Sequence, residues 1–124
     1  MKRDIQDRAD IDVMVKTFYG KLLADEQMAP LFAKVVGEHL ADHFHILCDF
    51  WESVLFFTGQ YKGNTMEKHL ALHDEHPLSK MHFDTWLAYF KETVDTLFEG
   101  EKATLAKERA TSIAFIMQMK INQL

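Results

Sequence analysis

Apolar residues recur along this chain at intervals of three and four, the spacing that lines one face of an α-helix. Ile11, Val15, Phe18, Tyr19 and Leu22 form such a stripe, and Asp10 is placed to cap a first helix that runs to about Leu23. Met28-Ala29-Pro30-Leu31-Phe32 reads as a short helical turn with Pro30 near its start. A further helix is predicted from about Glu38 to Phe57, with Leu40, Phe44, Leu47, Phe50, Trp51, Val54 and Leu55 on its apolar face. Gly59 to Asn64 breaks the pattern as a loop. Thr65 then caps a short helix through His69 to about Leu72, followed by a polar connection from His73 to Ser79 that holds Pro77. Ser79 caps a long helix carrying Phe83, Trp86, Leu87, Phe90, Val94 and Leu97, which Gly100 ends. The last helix spans about Glu101 to Ile121, with Leu105, Ile113, Ile116 and Met117 inward. No stretch alternates with the period of a strand, and no internal repeat or second unit interrupts the pattern. The expectation is one all-α domain over residues 1–124.

Composition narrows the function. With 48% hydrophobic and 27% charged residues the chain has the balance of a globular protein, and 124 residues bury a core without disulfides. The single cysteine, Cys48, excludes an internal disulfide and reads as a structural filler. No apolar run reaches the length of a membrane span, and the first residues lack the apolar centre of a signal peptide, so a cytoplasmic location is expected. The net charge is −5 without a basic cluster, which disfavours nucleic acid as a partner.

Two features stand out against this background. Ten residues are Phe, which reads either as an ordinary aromatic core or as a core built around a large flat guest. All seven histidines lie between His39 and His82. Pairs such as His39/His43 and His69/His73 are four apart and share a helix face, so they could share a metal, but that signal is weak and each histidine taken alone reads as a solvated surface residue. Tyr19 lies on the apolar stripe of the first helix, where a buried hydroxyl needs a partner. Trp51 and Trp86 each carry an indole donor on an apolar face.

Taken in order, Phe18-Tyr19, Pro30-Leu31-Phe32, His43 eight residues before Trp51, His69-Leu70-x-Leu72 and Phe83-x-x-Trp86-Leu87 resemble the group III truncated haemoglobins over nearly the whole chain. The resemblance implies a truncated globin fold, a helical sandwich around haem b. It implies that His69 is the axial iron ligand, with His73 as second candidate. Tyr19 and Trp86 correspond to polar residues of the distal pocket, and His43 to the distal position that acts as a gate in relatives with a histidine there. Leu47 and Trp51 correspond to the distal lining, and Phe32 to the phenylalanine packed on the haem. Tyr61, Lys62 and Lys68 are candidates for the haem propionates by their nearness to His69. No Cys-x-x-Cys-His motif is present, so non-covalent haem is expected.

The function so implied is reversible binding of O2, with NO and CO as further ligands, in a monomer or weak dimer without assigned catalytic residues. Two alternatives remain open at this point. One is nitric oxide dioxygenation or a peroxidase-like reaction, which would need an external reductase. The other is a haem-free helical protein that binds metal or a partner.

Overall fold

The computed structural model describes residues 2–31, 40–57 and 79–122. Four long helices account for most of them: α1 (Arg8–Ala24), α2 (Leu40–Phe56), α3 (Lys80–Leu97) and α4 (Glu101–Asn122). No strand occurs among the described residues. α1 packs on α2 and α3, and α4 packs on α3 and α2, so two helix pairs face each other across one core. This is the all-α sandwich expected from the sequence.

The expected stripe of α1 is buried in full, and Met14 joins it. Its start differs from expectation. Asp7, not Asp10, is the N-cap, and its side chain accepts the Asp10 N–H at 3.0 Å. Asp7 already has the extended backbone a cap requires, which leaves Asp10 in the first turn. There Asp10 is buried, pairs with Arg3, and accepts the Gln6 N–H at 2.8 Å. A carboxylate suits the positive end of a helix dipole in either role. After Ala24, Asp25 accepts the N–H groups of Gln27 and Met28 at 2.8 and 3.0 Å and turns the chain toward helical residues 29–31. Tyr89 of α3 donates its hydroxyl to the same carboxylate at 2.6 Å, so one Asp holds both the turn and the helix packed beneath it.

α3 begins at Ser79 as expected. The backbone N–H of Ser79 donates to Nδ1 of His82 at 3.0 Å, which gives His82 a capping task at the surface. α3 and α4 run antiparallel, fastened by the pair Lys107–Asp95 at 2.6 Å near one end and by Phe83, Ala114 and Met117 near the other.

The inward face of α4 is a correction. Ala103, Ala106, Ala110, Ala114 and Met117 are buried, whereas Ile116 is 45% exposed and Leu105 and Ile113 are only half-buried. The 3.6-residue period runs through the alanines, whose small side chains let α4 lie close to its neighbours. A reading weighted toward large apolar residues places the stripe too far round the helix.

Candidate functional site

The site grows from three positions on three helices. Tyr19 comes from the last turns of α1, His43 from the first turn of α2, and Trp86 from the second turn of α3. Tyr19 is buried because it shares the inward stripe with Phe18 and Leu22. Its hydroxyl lies 3.0 Å from Nε2 of the half-buried His43. The two rings meet edge to face with centroids 5.3 Å apart, and Phe44 packs against Tyr19 in the same way at 5.6 Å. Burial pushes the Tyr19 phenol well above its usual range. It therefore stays a neutral donor at any ordinary pH, since the charged form would lose its hydration.

Behind this pair lies an aromatic core. Phe18 presents its edge or face to Tyr19, Trp86 and Phe90 at 5.7, 5.6 and 5.2 Å. Trp51 stacks on Phe90 at 4.8 Å, and Phe90 on Trp86 at 6.0 Å. The sequence places Trp51 and Leu47 on the distal lining. The structure buries Trp51 and packs Leu47 against the same core. Cys48 lies beside Leu47, also buried, and burial raises its thiol above the usual range. A thiol so placed is a poor nucleophile.

The structure therefore brings together Tyr19, His43, Leu47, Trp51 and Trp86. Phe32, Tyr61, Lys62, Lys68, His69 and His73 lie outside the described residues. Among the described residues, no group of three or more His, Cys, Asp or Glu side chains is placed to hold a metal ion. Sequence reasoning did not anticipate Phe90. It was placed only as a member of the α3 stripe, whereas it sits between both indoles; its four-residue spacing from Trp86 was the available signal.

A haem needs an apolar slot with few, well-aimed polar groups on its ligand side. The described residues are of the kind such a group requires: a buried phenol and a half-buried imidazole meet beside Phe44, and Phe44, Leu47 and Trp86 are partly buried apolar residues packed on the same core. The candidate iron ligands His69 and His73 lie outside the described residues.

No family model matches the sequence. The chain is 28% identical over 117 residues to the group 3 truncated hemoglobin ctb of Campylobacter jejuni, covering 92% of this chain and 90% of that protein. The crystal structure of a group III truncated hemoglobin from Campylobacter jejuni superposes with a TM-score of 0.86 at 27% identity, covering 98% of this chain and 95% of that one. Chlamydomonas reinhardtii THB1 follows with a TM-score of 0.67 at 25% identity and 85% coverage of each chain. The resemblance read from the sequence thus holds: the chain is similar along nearly its whole length to group III truncated haemoglobins, and its fold is the truncated globin fold.

Proposed function

We propose that this truncated-globin chain binds haem b without covalent attachment, uses His69 as the axial ligand, and reversibly takes up O2, with NO and CO as further ligands. The observation that carries the reading is the Tyr19 hydroxyl set 3.0 Å from His43 Nε2, with Trp86 packed on the adjoining Phe18, in a fold shared with truncated haemoglobins. Haem, when bound, would supply an iron able to hold a gas ligand, and His69 is the residue that would hold that iron.

The chain's own residues supply the rest. Tyr19, whose single O–H proton would turn from His43 to the ligand once one is bound, and Trp86 are the donors for a ligand that draws negative charge onto itself. One such hydrogen bond in a dry pocket is worth about 1.5–3 kcal/mol. His43, half-buried and 3.0 Å from the phenol, controls access. Leu47, Phe44 and Trp51 exclude water. Phe32 would pack against bound haem, and Tyr61, Lys62 and Lys68 would hold its propionates. The proposed setting is cytoplasmic, as a monomer or weak dimer. No helix among the described residues is long and apolar enough to cross a membrane.

A visible spectrum of the purified protein tests the reading. A Soret band that shifts on reduction and again under CO, with a reversible change under O2, is the expected result. A colourless protein that takes up no added haem overturns it.

A further inference from the structure

The two indoles of this chain are joined through a single ring. Phe90 lies between Trp51 and Trp86 with its plane 17° from one and 11° from the other, at 4.8 and 6.0 Å. Phe18 then touches Trp86 and Phe90 on one side and Tyr19 on the other, with no gap between centroids above 5.7 Å. The path ends at a phenol whose oxygen is 3.0 Å from Nε2 of His43. Packing alone accounts for an aromatic core. A buried hydroxyl needs some hydrogen-bond partner, and here that partner is an imidazole, on a half-buried ring that can pass a proton toward solvent.

We infer that Trp51, Phe90, Trp86, Phe18 and Tyr19 form a radical relay: an oxidising equivalent received at either indole passes to Tyr19, whose proton moves to His43. The oxidant is a one-electron oxidant of the peroxide-derived or azidyl radical class, which takes an electron from an indole and is itself reduced to its anion. The oxidised indole then regains its electron from Tyr19. The Tyr19 O–H bond breaks, the proton goes to His43 Nε2, and the products are a neutral indole, a neutral phenoxyl radical and an imidazolium. One positive charge stands on each side of that step. Burial explains why the base is needed. A phenol that lost only its electron would leave a cation in an apolar interior, whereas moving the proton to His43 puts the charge on a group that reaches the surface. The relay is a property of the chain itself and stands or falls separately from gas binding.

The test is pulse radiolysis of the purified protein, with whatever cofactor it carries, using azidyl radicals as oxidant. Indolyl and phenoxyl radicals are followed by transient absorption and freeze-quench electron paramagnetic resonance. The expected result is a first-order conversion of indolyl to phenoxyl radical, independent of protein concentration and slower in D2O. It is lost in Tyr19→Phe, retained in Tyr89→Phe, and slowed by about a hundredfold in His43→Leu, the usual scale for removing a positioned base. Conversion that persists in Tyr19→Phe, that depends on protein concentration, or that runs equally fast in D2O and in His43→Leu overturns the inference. Absence of any conversion in the unaltered protein does so too. The D2O comparison needs no variant, so it stands even if a substitution disturbs folding.

Discussion

Asp4 and Gly100 meet so closely that a side chain on Gly100 would overlap Asp4: a Cβ built there falls 2.5 Å from Asp4 Cγ. The approach has a purpose. Asp4 accepts the N–H groups of Lys102 and Ala103, each at 2.9 Å, and so caps α4 from the opposite end of the sequence. Nearby, the Glu99 N–H donates to the Arg3 carbonyl at 3.0 Å. The first residues thus form a strap across the α3–α4 corner, and Ile5 is buried beneath it.

Gly100 has φ +148°, a backbone region that residues with a Cβ rarely adopt. Gly100→Ala therefore meets both strain and overlap, and should lower stability by about 1–3 kcal/mol. Urea unfolding checks it: the midpoint should fall with the slope unchanged.

Asp4 should make stability depend on acid. Burial alone would raise its carboxyl, but the N–H groups of Lys102, Ala103 and Ile5, helped by the Lys102 charge, outweigh burial and hold it below the usual carboxylate range. A depressed folded-state value means that the stabilisation is present above the unfolded-state value and is lost as pH falls through the folded one. Asp4→Asn keeps one acceptor oxygen but cannot ionise. It should be less stable by about 1 kcal/mol at neutral pH, with a shallower loss in acid. Thermal unfolding across pH 2 to 7 for both proteins would show the two curves converging at the acid end.

Phe57 sits just past α2 with φ 58°, left-handed backbone on an aromatic residue, and is 75% exposed. Lys102 lies over both Phe56 and Phe57 at 5.3 Å, while its ammonium reaches the Leu55 carbonyl at 2.5 Å. Phe57→Gly removes the strain and keeps the Lys102 contacts with Phe56 and Leu55. A net gain of about 0.5–1 kcal/mol is expected. Phe57→Ala, which loses the ring but keeps the strain, should gain nothing. Denaturant melts of the pair separate the two effects.

Tyr19→Phe removes one hydroxyl and keeps the ring. If Tyr19 donates to the gas ligand, O2 dissociation should quicken by about ten- to a hundredfold, while CO, which carries little negative charge, changes less. His43→Ala should alter association of O2 and CO together. Stopped-flow and flash photolysis measure both. Equal effects of Tyr19→Phe on O2 and CO dissociation would show that the hydroxyl does not donate to oxygen.

On the proposed ligation, His69→Ala should yield protein with little haem, and His73→Ala should not. Haem content per chain, measured with the ferrous spectrum, decides between them. A normal spectrum in His69→Ala with loss in His73→Ala would move the ligand to His73.

The helical nature of this chain, the inward stripe of α1 and the start of α3 at Ser79 were legible in the sequence, as was the inward placing of Tyr19. Each follows from local periodicity or from a capping residue. What the tertiary structure decided are contacts between residues far apart in the chain. Nothing local marks Asp4 as the cap of α4, 98 positions away from Lys102, or Gly100 as the space it needs. Asp7 and Asp10 both suit a helix start, and only the burial of Asp10 beside Arg3 separates them. The alanine face of α4 is likewise invisible to a hydrophobicity pattern, because what selects it is how closely two helices approach, and that distance exists only once they pack.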